Sequence, residues 1–169
     1  MNRSATMLSL AASLIFAATL FPATRMAIAD DKAASAVERE VRVAFDGWVT
    51  ALTHADKKAY LAAFWHSPRL VIRVASGEWR GFDAYRKRIE SAQLPPGSVA
   101  DYRNVQVVAL GSDAAVVTYE RPAPAAMGGG DALVFVGTLV LTRTSDGWRI
   151  AAWHAHSIGG MGGPAPRPH

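Results

Sequence analysis

Gly147-Trp148-Arg149-Ile150-Ala151-Ala152-Trp153-His154-Ala155-His156-Ser157 reads as a strand, and it decides the rest of the chain. Side chains two apart on a strand share a face. Unbroken alternation puts Trp148, Ile150, Ala152, His154 and His156 on one face. Arg149, Ala151, Trp153, Ala155 and Ser157 take the other. Two imidazoles at the end of an apolar strand face predict a lined cavity rather than a plain core. Trp153, flanked by small residues on the opposite face, is expected at an interface between two copies of the chain.

Working backwards, Ser145-Asp146-Gly147 is a turn and Leu133 to Thr144 a long apolar partner strand. Tyr102 to Leu110 and Ala114 to Arg121 form an earlier hairpin through Gly111-Ser112-Asp113. The two hairpins are joined by a flexible connection, Pro122 to Asp131, carrying Gly128-Gly129-Gly130.

The amino-terminal half is different. Val37, Val41, Phe45, Trp48 and Leu52 recur at spacings of four, four, three and four, which predicts an amphipathic helix from Ala33 to Thr53. Asp56 can cap a second helix carrying Tyr60, Leu61 and Phe64 that ends at Ser67-Pro68. Leu70 to Ala75 and Glu78-Trp79-Arg80 read as strands around Ser76-Gly77. A third helix runs roughly from Phe82 to Ser91, with Phe82, Tyr85, Arg86 and Ile89 on one face, before the loop Leu94-Pro95-Pro96-Gly97. Three helices first and a meander of long strands last give an α+β class. A strongly curved, mostly antiparallel sheet is expected to wrap the helices and leave a pocket at its open end.

Residues 1–29 read as an export signal. Asn2-Arg3 start it, Met7 to Phe21 form its apolar run, and Ala27-Ile28-Ala29 fits the cleavage pattern. The run from Met7 to Leu20 is shorter than the roughly 20 residues of a membrane span. The expectation is a periplasmic or secreted protein, free of the membrane after cleavage. Its single domain is residues 30–158, followed by a disordered tail, 159–169, with four glycines and three prolines. Removing Arg3 and Arg25 from the 18 basic residues leaves 16 against 14 acidic ones, a balance too even to suggest nucleic acid. The absence of cysteine excludes disulfides, a thiol nucleophile and thiolate metal sites.

Three motifs carry a resemblance to a known family. Asp146-Gly147-Trp148-Arg149-Ile150 followed by His154-Ala155-His156-Ser157 resembles an aspartate-glycine-x-tryptophan strand ending in His-x-His-x-Ser. Gly81-Phe82-Asp83-Ala84-Tyr85-Arg86 resembles the Gly-x-Asp start of a third helix. Asp113 to Arg121 resembles an alanine-rich strand ending in a pocket arginine. Over Val37 to Ser157 the chain resembles the SnoaL-like branch of the nuclear transport factor 2-like superfamily, and also the association domain of calcium/calmodulin-dependent protein kinase II. The resemblance implies a cone-shaped, cystatin-like α+β barrel. Counted from Trp148, the family's two histidines fall at Ala152 and His154 and its serine at His156. Either the strand keeps register and one histidine is lost, or it bulges and His154-Ala155-His156-Ser157 is the match. A further pocket arginine of the kinase domain falls at Leu139, which makes this pocket less basic.

His154 and His156 are the candidate acid/base groups, since imidazole titrates near neutrality. A metal centre would need a third ligand, and His54, His66 and His169 are poorly placed for it, so no metal or cofactor is expected. Arg86 sits on the apolar side of its helix, where a charge must snorkel or meet an anion. The resemblance places Arg86 and Arg121 in the pocket, where two arginines would favour a carboxylate, phosphate or enolate-like ligand. Arg121 shares a face with Val117 and Tyr119. Tyr60, Trp65, Tyr85 and Tyr119 are candidate walls. Glu120 has the wrong parity and Asp83 begins a helix, so a buried carboxylate base is lacking. Three functions stay open: a binding protein for a small anionic or carbonyl-containing molecule, forming a homodimer; an isomerase, cyclase or dehydratase using a pocket histidine; and an assembly module without catalysis.

Overall fold

A computed structural model describes residues 23–92, 101–122 and 134–158. Residues 1–22 of the expected signal, the Leu94-Pro95-Pro96-Gly97 loop, residues 123–133 of the connection and the tail 159–169 lie outside the described residues. The elements run α1 (Ala23–Thr53), α2 (Lys57–Ala62), β1 (Val71–Val74), β2 (Gly77–Arg80), α3 (Phe82–Ser91), β3 (Arg103–Ala109), β4 (Ala114–Pro122), β5 (Val134–Thr144) and β6 (Gly147–Ile158).

Two helix bounds differ from the sequence reading. Helix α1 begins ten residues before Ala33, through an alanine-rich stretch of high helix propensity. Helix α2 starts where expected, Asp56 capping it by accepting from Ala59 N, but ends at Ala62 instead of reaching Ser67-Pro68. Phe64 leaves it to bridge Ile150, with Trp65 N donating to Ile150 O and Ile150 N to Ala63 O at 2.9 Å each. The sheet supplies hydrogen bonds that a further helical turn would forgo.

One six-stranded sheet has the order β2-β1-β6-β5-β4-β3. Every pairing is antiparallel except β1 with β6, so the sheet is mixed and unclosed, with β2 and β3 at its edges. Val37, Val41, Phe45 and Trp48 of α1 are buried in a single core with Ala115, Val117, Leu139, Leu141 and Ile150 from the concave face. Burying each large apolar side chain contributes about 1.5–3 kcal/mol, which is what fixes the helix against the sheet. A polar clamp adds to it: Glu40 of α1 accepts from Trp148 Nε1 at 3.0 Å and from Arg143 Nη2 at 2.6 Å.

Candidate functional site

The register of β6 sets the site. Val140 of β5 faces Ala152, but the next residue, Leu141, faces Ile150, so Ala151 is an extra residue bulged out of the ladder. A bulge of one residue exchanges the faces of everything beyond it. Trp148 and Ile150 point into the core. Past the bulge, Trp153 and Ala155 continue the inner face, while His154 and His156 stand exposed on the outer one.

The concave face opens into a cavity of about 350 Å³ between the end of α1 and the strands. That falls near the lower end of the roughly 300–1,000 Å³ typical of small-molecule sites. Leu52 closes it from α1, Val74, Ala75 and Ser76 from the end of β1, and Tyr102 from the segment before β3. Tyr119 and Arg121 of β4, Phe135 of β5, and Trp153 and Ala155 of β6 complete the lining.

Its aromatic wall is held by specific contacts. Trp153 packs edge-on against Trp48 at 5.4 Å between centroids and donates from Nε1 to Tyr119 Oη at 2.9 Å. Tyr102 meets Tyr119 edge-on at 4.9 Å. The Arg121 guanidinium stands over Phe135, 5.4 Å from the ring centroid, an arrangement that favours the cation electrostatically. Burial pushes the Tyr119 hydroxyl well above its usual pKa, against the pull of the Trp153 N–H. Burial raises Tyr102 as well, and Arg121 draws it partly back. Both hydroxyls are therefore neutral near pH 7. Among the described lining residues Arg121 carries the only charge, and there is no carboxylate or imidazole.

Of the residues singled out from sequence, Tyr119 and Arg121 line the cavity together. The expectation that His154 and His156 face the pocket is corrected: the bulge at Ala151 turns both outward. The same bulge corrects Trp153, expected at an outer interface and found in the cavity wall. Of the two register alternatives the strand takes the bulge, and it is Trp153 and Ala155, not His154 and His156, that line the cavity.

Arg86 is likewise outside the cavity. Two acids on its own helix satisfy it at the surface, Asp83 Oδ1 at 3.3 Å and Glu90 Oε1 at 3.3 Å. Tyr60 and Tyr85 are buried in the core, their hydroxyls hydrogen-bonded to one another at 2.7 Å. Trp65 lines a separate surface cleft with Asp146 and Arg149. Leu139 is buried on the inner face, where the sequence reading expected an apolar replacement for an arginine. Sequence reasoning missed Leu52, Tyr102, Phe135 and Trp153. The Phe135 placement follows from its register opposite Arg121, and Trp153 from the bulge, and neither is visible before the strands are paired. Among the described residues no three histidine or acidic side chains converge as a metal site.

Comparison with known proteins agrees with this architecture. The family model of the SnoaL-like domain matches residues 41–158. No curated protein matches the chain. A cystatin-like fold protein from Burkholderia xenovorans is 28% identical, covers 74% of this chain and 94% of its own, and superposes with a TM-score of 0.65. A protein of unknown function from Pectobacterium atrosepticum, of the DUF3225 family, is 23% identical at a TM-score of 0.63, covering 73% of this chain and 91% of its own. A ketosteroid isomerase-like protein from Erwinia carotovora atroseptica shares the fold at 19% identity and a TM-score of 0.58, covering 73% of this chain and 97% of its own. The chain belongs to the SnoaL-like domain family.

Proposed function

We propose that the protein is exported and binds a small molecule in the concave cavity. The ligand has an apolar or aromatic body and an anionic or carbonyl end directed at Arg121. The observation that carries this reading is the lining itself: aromatic faces from Tyr102, Tyr119, Phe135 and Trp153, and one cation, Arg121, beside a neutral Tyr102 hydroxyl. Such a site favours an acceptor atom at one end of an otherwise apolar ligand and disfavours cations. Among the described residues no histidine lines the cavity, and His154 and His156 face away from it, which weighs against proton transfer by a pocket histidine.

A thermal-shift screen against small carboxylates, phosphates and apolar ketones tests the reading. Stabilisation by a member of one class, lost in Arg121→Ala and kept in Arg86→Ala, supports it. A screen without any shift, or shifts unchanged by Arg121→Ala, moves the weight to an assembly module.

Assembly into a homodimer through the outer sheet face is part of the same proposal. Val108, Val116, Val140, Ala152 and Val71 are register partners in turn across five strands and form one apolar row on that face. Val108 is 51% and Val140 36% exposed. A second copy seated on this row would cover them.

A further inference from the structure

The histidines turned away from the cavity are a matched pair. His154 and His156 project from the same exposed face of β6, with ring centroids 5.4 Å apart and planes inclined by 32°. Because both follow the Ala151 bulge on one regular strand, their relative placement is set by backbone pairing to Thr138 and Val136 and not by a loop.

We propose that His154 and His156 form an open two-imidazole chelate for a divalent transition ion such as Zn²⁺, water completing the coordination. A zinc ion about 2.0–2.1 Å from one nitrogen of each ring, at a tetrahedral angle, sets the ring centroids roughly 5 Å apart. The observed 5.4 Å separation matches that spacing, and chelation requires one nitrogen of each ring to turn toward the ion. Imidazole is a favoured ligand for zinc, copper and nickel, whereas the hard oxygen-seeking cations have nothing to hold here.

The surrounding charge is mixed. Arg73 on β1 is the register partner of His154, and its guanidinium is drawn away to Glu78 Oε2 at 2.7 Å, a carboxylate it shares with Arg80 on Oε1 at 2.9 Å. On the other side β5 offers only Thr138 and Val136. One strand further, Glu120 occupies the same outer row as His156 and accepts from Asn104 Nδ2 at 2.8 Å, adding negative potential to the face. The pair lies outside the apolar row proposed to meet a second copy, toward the carboxyl end of β6. With two protein ligands and no third donor converging among the described residues, this is an exchangeable surface site and not a closed structural centre.

Titration of tag-free protein with zinc chloride in a non-chelating buffer, followed by calorimetry and by histidine ring resonances, tests the site. One ion per chain is expected, with both rings shifted. His154→Ala and His156→Ala should each lower affinity about tenfold or more, since losing a ligand costs no less than the 10–100-fold typical of an outer-shell partner. His66→Ala, altering an exposed histidine outside the pair, should leave it unchanged. Equal affinity in wild type and both variants, a loss confined to His66→Ala, or no binding at all would overturn the proposal.

Discussion

The Tyr119 side chain crosses directly over Gly137, its register partner on β5. A Cβ at Gly137 would overlap the Tyr119 ring and hydroxyl, so the absence of a side chain there lets the tyrosine fold across the sheet. From that position its hydroxyl receives the Trp153 N–H and its ring meets Tyr102. The glycine in this strand thus shapes the cavity wall, a role glycine takes wherever another group must approach backbone closely.

Gly137→Ala is accordingly expected to push Tyr119 aside. Overpacking of this kind costs about 1–3 kcal/mol, to be read from urea unfolding. Ligand-induced stabilisation should fall with it. Gly47→Ala is the control, because a Cβ at Gly47 meets nothing within 4 Å.

Removing only the acceptor is a milder perturbation. Tyr119→Phe keeps the ring but leaves the Trp153 N–H without its partner, and a polar group left unsatisfied costs about 1–3 kcal/mol. The fold should persist, with a lower unfolding midpoint in denaturant.

Much of this was legible in the sequence, and the part that was not has one physical cause. The α1 stripe from Val37 to Trp48 is buried as its spacing predicts, and α3 spans Phe82–Ser91 as expected, because helix periodicity depends only on local chain geometry. Parity set Tyr119 and Arg121 on one face with Val117, and the family resemblance pointed Arg121 inward, where both line the cavity. Beyond Ala151 parity failed. A bulge depends on how two strands pair, and no residue in Ala151-Ala152 announces it. Arg86 was misplaced for another reason: its helix position fits either an anion or a surface ion pair, and Asp83 and Glu90 supply the latter.

Charge at the cavity has a sharper consequence. Charge-assisted hydrogen bonds contribute about 1.5–3 kcal/mol, so Arg121→Gln should weaken binding of an anionic ligand roughly ten- to hundredfold. His154→Ala should leave it unaltered. Calorimetric titration with the strongest ligand from the thermal-shift screen checks both.

The clamp on α1 predicts a pH dependence. Hydrogen bonding from Trp148 first, and then the Arg143 partner, hold the Glu40 carboxyl below its ordinary 4.5. A lowered folded-state pKa contributes stability that is present above pH 4.5 and lost as the pH falls through the lowered value. Glu40→Gln should therefore melt slightly lower than wild type at pH 7, and the gap should narrow in acid as the wild-type carboxyl is protonated. A gap that widens on acidification would contradict the assignment.

The outer face gives a test of assembly. Val140→Glu places a charge in the middle of the apolar row without touching the core, and should convert the proposed dimer to monomer in light scattering. An unchanged mass would remove this face as the interface.

The most direct test of the central claim is a heteronuclear NMR titration with the best ligand from the screen, following the Trp153 indole N–H and the His154 and His156 rings together. The account predicts that the Trp153 resonance moves to saturation while both histidine rings stay in place. Shifts at the histidines with Trp153 unmoved would put the ligand on the outer face and contradict it.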